Sequence, residues 1–138
     1  MTWREINPRF VRQDYPHLRA RWFCDTSSRG GGHLFFWQDA RGRVVGFKLT
    51  REEWPSLHRY EAEWQVGRRP WITEEEMAPS GYRPARLAVP ALAEHPPGRQ
   101  ARAAWRLLTY FQENASLLPA DQRRTIKAVL GEVSDLAA

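Results

Sequence analysis

His33-Leu34-Phe35-Phe36-Trp37-Gln38, then Asp39-Ala40-Arg41-Gly42, then Arg43-Val44-Val45-Gly46-Phe47-Lys48-Leu49-Thr50, is the stretch on which the fold turns. Two apolar runs flank a short polar segment that ends in glycine. In the second run Val45, Phe47 and Leu49 fall on one side of an extended chain, and Val44, Gly46 and Lys48 on the other. Strand, short Gly-containing turn, strand is a β-hairpin pattern.

Outward from this hairpin the same pattern repeats. Leu18 to Asp25 is a strand rich in aromatic residues, closed by Thr26-Ser27-Ser28-Arg29-Gly30-Gly31-Gly32, which reads as a hairpin loop. After a loop at Trp54-Pro55, Tyr60, Ala62, Trp64 and Val66 alternate with Arg59, Glu61, Glu63 and Gln65, the mark of a half-solvated strand. Residues 67–98 carry six prolines and read as irregular. Within them Thr73-Glu74-Glu75-Glu76 fits a capping box opening a helical turn, and Arg86-Leu87-Ala88-Val89 fits a short edge strand. Pro96-Pro97-Gly98 marks a boundary, beyond which a helix is expected from Arg99. Its apolar stripe reads Ala101, Ala104, Trp105, Leu108, Phe111 and Ala115. Leu117-Leu118-Pro119 ends that helix. Ile126, Val129, Leu130, Val133 and Leu136 form the stripe of a second, with Pro119 at its start.

The expected fold is therefore α+β: an antiparallel β-meander of three to five strands packed against two C-terminal antiparallel helices. At 138 residues the chain is read as one domain, with 1–17 an ordered arm, 18–66 the meander, 67–98 the Pro-rich segment and 99–138 the helix pair. Seven tryptophans and 42% apolar residues can build a core. Met1 to Ile6 has no apolar stretch of the secretory kind, and no apolar run nears the roughly 20 residues that span a bilayer, so a cytoplasmic, non-membrane protein is expected. The single cysteine, Cys24, suits a reducing compartment and reads as a small buried hydrophobe.

The net charge of +5 is carried by nineteen arginines against two lysines. Guanidinium groups bind phosphates bidentately and stack on rings, so the excess is compatible with a nucleic-acid partner. GC-rich codon usage, which also favours Ala, Gly and Pro, yields the same excess. Arg29-Gly30-Gly31-Gly32 lacks the Lys-Ser/Thr of a phosphate loop and precedes a strand, not a helix. His17, His33, His58 and His95 have no metal-ligand spacing, and Glu74 to Glu76 suit a helix N-terminus better than paired catalytic acids. No catalytic residue, cofactor or metal is assigned.

Three motifs carry a resemblance. Leu18-Arg19-Ala20-Arg21-Trp22-Phe23 fits Leu-Arg-x-Arg-Trp-Phe. Trp37 to Phe47 fits a Trp-x-Asp-x-x-Gly-x-x-Val-Gly-Phe hairpin, and Leu118-Pro119 fits a Leu-Pro junction between two helices. In these the chain resembles a family of small bacterial proteins of unknown function. The resemblance covers most of the chain and implies the same fold and a bacterial cytosolic origin. Some relatives carry Gln and Cys where this chain has Lys48 and Thr50, and no activity comes with the family.

One feature points to function. Leu34-Phe35-Phe36-Trp37 and Trp22-Phe23 are apolar on both faces of their strands, while a helix pair covers only one. The second face must meet the chain's own loops, a second copy, or a ligand. This leads to a non-enzymatic binding or interaction module with Arg19, Trp22, Phe35, Trp37, Arg41, Arg43 and Lys48 as surface candidates. The expected partner is a protein or a second copy in a homodimer. The alternatives are weak nucleic-acid binding, and an enzyme or small-ligand protein with a pocket between the sheet and residues 67–98.

Overall fold

Two helices lie on one face of a six-stranded antiparallel sheet whose strands follow chain order. The computed structural model describes residues 3–25, 30–53, 56–76 and 97–135. The strands are β1 (Arg4–Glu5), β2 (Arg19–Asp25), β3 (Gly30–Gln38), β4 (Val44–Glu53), β5 (His58–Gln65) and β6 (Trp71–Glu76). The helices are α1 (Pro97–Asn114) and α2 (Ala120–Asp135). The α+β meander with its helix pair is thus the fold, with six strands in place of three to five.

The two additional strands are at the edges. β1 lies in the N-terminal arm, pairing Glu5 with Phe23. Further along the arm Gln13 acts as a side-chain strand: its Oε1 accepts from Ala20 N–H at 2.9 Å and its Nε2 donates to Ala20 O at 3.1 Å. β6 replaces the helical turn expected at Thr73–Glu76. Pairing with β5 places Glu75 opposite Arg59 and Thr73 opposite Glu61, and this outweighs a local capping preference. α1 begins at Pro97, two residues before the expected start. Arg86–Val89, Trp54–Pro55, Thr26–Arg29 and Leu136 lie outside the described residues.

Register assembles three cross-strand rows on the helix-facing side. Phe23, Leu34, Leu49, Ala62 and Ile72 form the central row, and Phe36, Phe47 and Trp64 a second. Against them pack Ala104, Leu107 and Phe111 of α1 and Ile126, Leu130 and Val133 of α2, all buried. A bulge at Trp37/Gln38 pairs Gln38 with Val44, so Val44, not Val45, joins the core face with Phe47.

The third row, Asp25, Gly32, Arg51, Tyr60 and Glu74, is polar and fixes the direction of α1. Tyr110 lies over Gly32 with the Arg51 guanidinium 4.5 Å from its ring centre, and its hydroxyl accepts from Trp3 Nε1 at 2.8 Å. Arg106 covers Tyr60 and reaches Glu53, and Arg99 reaches Glu74 at 3.3 Å. From Arg99 to Tyr110 the helix advances about 16 Å, while β3 to β6 spans about 14 Å. So α1 crosses the strands. Burial pushes the Tyr110 hydroxyl up to about 12.

This seating turns α1 relative to the expected stripe. Ala103, Leu107 and Tyr110 are buried, and Trp105 is 59% exposed. At the other end of the sheet Gln122 Nε2 donates to Gln38 Oε1 and to Gly42 O, each at 2.9 Å, clamping α2 to the β3–β4 turn.

The glycine run, read as a loop, is strand because Gly30 to Gly32 pair with Glu53 to Arg51 of β4, and glycine at position 32 admits Tyr110. A Cβ on Gly32 would stand 2.3 Å from the Tyr110 hydroxyl oxygen, 2.6 Å from Thr50 O and 2.7 Å from the ring carbon Cζ. Gly32→Ala should lower stability by about 1–3 kcal/mol in urea unfolding, the usual range for overpacking. Tyr110→Phe in the same chain should recover only part, since the Cζ and Thr50 contacts persist.

Candidate binding face

Strand alternation sends one set of side chains to the helices and its neighbours to the opposite face. On that opposite face β2 and β3 contribute a continuous line of rings. His33 lies 6.2 Å from Trp22, Trp22 6.5 Å from Phe35, Phe35 5.0 Å from Trp37, and Trp37 6.2 Å from Tyr15 of the arm. Both helices pack on the other face.

Trp37 separates two depressions. On one side lies an apolar hollow of about 490 Å³, walled by Tyr15, Leu18, Val45 and Val66. On the other is a more polar hollow of about 410 Å³, bounded by Trp71, Lys48, Glu63, Arg68 and Arg69. Gly46 lies between, and a Cβ there would stand 3.1 Å from Trp64 O and 3.6 Å from the Trp37 ring. Tyr15, Val66 and Trp71 are 51%, 66% and 53% exposed. Half of the large apolar side chains exposed among the described residues therefore line the two hollows beside this indole. Such clustering marks interaction surfaces, whereas single exposed apolar residues do not.

The middle of the face is charged but internally matched. Lys48 reaches Glu61 at 2.9 Å and Glu63 at 3.5 Å, and Arg59 reaches Glu61 at 3.4 Å and Glu75 at 3.9 Å. Burial acts to lower the Lys48 pKa, but the hydrogen bonds and charges of Glu61 and Glu63 outweigh it and raise it. His33 is held below its ordinary pKa, first by burial and then by the charges of Arg59 and Lys48. Trp22 Nε1, Trp37 Nε1, Thr50 Oγ1 and Arg59 Nε all lie on this face. They are the side-chain donors buried without a hydrogen-bond acceptor among the described residues.

Of the residues singled out in the sequence, Trp22, Phe35, Trp37 and Lys48 come together on this face. Arg19 points to the other side of β2, in phase with Arg21 and Phe23. Arg41 and Arg43 occupy the β3–β4 turn, where Asp39 Oδ1 accepts from both their backbone N–H groups and Asp39 Oδ2 holds the Arg43 side chain at 3.0 Å. The sheet order nonetheless brings the start of β2, this turn and the β5–β6 turn to one end of the sheet, beside Trp37. Tyr15, Val66, Arg68, Arg69 and Trp71 were not anticipated. The signal available for the last three was a paired arginine and a tryptophan beside Gly67, whose φ is +83°.

No family model, curated protein or solved structure matches the chain. The site is read from its own chemistry. Cys24 lies on the same face, half-buried and directly opposite His33, but no hydrogen bond joins them. Of the segment 67–98, expected to wall a pocket, residues 71–76 are strand and residues 77–96 lie outside the described residues.

The lowered His33 pKa has a thermodynamic consequence. The unfolded chain takes up a proton at His33 near pH 6.5, while the fold resists it. Its contribution to stability is therefore complete above about pH 6.5 and is lost on acidification below it. Urea midpoints for the wild type should fall more steeply from about pH 7 to 5 than those of His33→Gln. Parallel curves would show that His33 is not the group responsible.

Proposed function

We propose that the chain is a non-enzymatic binding module whose working surface is the sheet face opposite the helices, around Trp37. The supporting observation is the ring line from His33 to Tyr15, with exposed Tyr15, Val66 and Trp71 gathered at one of its ends. An antiparallel sheet can leave one face to water, and that face is then ordinarily polar. Here the polar half is closed on itself by ion pairs, and the other half offers flat rings beside two hollows.

A screen by thermal shift and tryptophan fluorescence, over oligonucleotides, peptides, glycans and small metabolites, tests the reading. One class should stabilise the wild type, by about 2.7 kcal/mol at a hundredfold excess over Kd. Trp37→Ala and Trp71→Ala should remove that stabilisation while retaining the wild-type circular dichroism. A ligand whose binding is untouched by both substitutions would place the working surface elsewhere. Concentration-dependent dimerisation abolished by the same variants would make the partner a second copy.

A further inference from the structure

Around Trp37 the face opposite the helices combines rings with guanidinium groups that have no ion pair among the described residues. Arg68 and Arg69 project from the β5–β6 turn and are exposed, without an ion pair among the described residues. The turn that carries them is ordered: Val66 N–H donates to Val45 O at 2.8 Å and Arg68 N–H to Gln65 O at 3.0 Å. The acids nearby are already occupied, Glu61 and Glu63 by Lys48 and Glu75 by Arg59. Among the described residues the uncompensated charge at this end of the face is therefore positive. Arg19 and Arg41, also exposed and outside any ion pair among the described residues, lie at the same end of the sheet.

Trp37 on β3 and Trp71 on β6 are three strands apart, a separation of about 14 Å. A single small ring system reaches only one of them. A chain that repeats a flat ring and an anion along its length reaches both, laying rings on the indoles and anions toward the turn. The hollow bounded by Trp37, Arg68, Arg69 and Trp71 gives such a chain room between the two indoles. A duplex does not fit this pattern, since its bases are stacked inside. An acidic peptide supplies the anions without a regular succession of rings.

We propose, resting on the binding reading above, that the groove from Trp37 to Trp71 is a track for single-stranded nucleic acid. Trp37 and Trp71 are its stacking platforms, and Arg68 and Arg69 hold its phosphates.

The test is fluorescence anisotropy of the intact chain with labelled mixed-sequence single strands of roughly 4–16 nucleotides, beginning at about 50 mM salt. Saturable binding should weaken about tenfold in Trp37→Ala and in Trp71→Ala. Trp71 is more than half exposed, so its removal leaves the fold intact and its variant reads binding alone. Trp71→Phe, which keeps a ring, should restore most of the affinity. Arg68→Ser with Arg69→Ser should reduce the slope of log K against log salt by about 1.4, because two single-strand phosphates are then no longer neutralised. Arg102→Ser with Lys127→Ser, an equal reduction of charge on the helix layer, should leave the slope unchanged. Absence of saturable binding, equal affinity for duplex, or an equal effect of the helix-layer pair would each overturn the proposal. If single strands fail while a peptide or glycan binds in the screen and depends on Trp37, the nucleic-acid assignment falls and the binding face stands.

Discussion

Tyr110 lies where Gly32 has no side chain, and the course of α1 over the sheet follows from that contact. The ring is held on three sides: Gly32 beneath, the Arg51 guanidinium across its face, and Trp3 Nε1 on its hydroxyl. With Tyr110 seated, Arg106 and Arg99, at intervals of four and seven residues back along the helix, meet Tyr60 and Glu74 farther along the same cross-strand row. These contacts couple helix pitch to strand spacing and leave α1 no freedom to lie along the strands. Trp3 links the arm to the same point, with its backbone N–H reaching Asn114 O and its ring packing edge-on against Tyr110 and Phe111.

A helix layer seated in this way takes up one face and leaves the other to be managed by the sheet. Two different solutions appear there. Over β4 to β6, cross-strand partners of opposite charge match one another, so the face is polar without being free to pair with anything else. Over β2 and β3 no such ion pair closes this face among the described residues. Rings stand edge to edge, the arm adds Tyr15, and Gly46 leaves a dip beside Trp37. The proposed working surface lies at the border between these two halves, where the rings meet guanidinium groups outside any ion pair among the described residues.

Antiparallel order explains how distant sequence positions meet at that border. Every second connection falls at the same end of the sheet. Tyr15 and Leu18 before β2, the Asp39–Arg43 turn, and Val66 to Arg69 before β6 are consequently neighbours, though more than fifty residues separate the first from the last. β6 adds Trp71 to the proposed surface, opposite Glu63.

The hairpin, the alternation along β5 and the two helices were legible because each depends on side-chain period and turn chemistry, which are local. Trp22, Phe35 and Trp37 were marked as a second apolar face for the same reason: strand alternation allows no other placement. β6 was not legible, since Thr73-Glu74-Glu75-Glu76 has the local preference of a helix start and becomes strand through pairing with β5. The buried side of α1 was also ambiguous, because Ala101, Ala103 and Ala104 are equally small on adjoining faces. The choice of Leu107 and Tyr110 over Trp105 came from the space above Gly32. Periodicity thus specified the elements and their two-sidedness. Which side each helix turns inward, and which arginines stand beside Trp37, depended on contacts between residues far apart in the chain, and no local pattern encodes those.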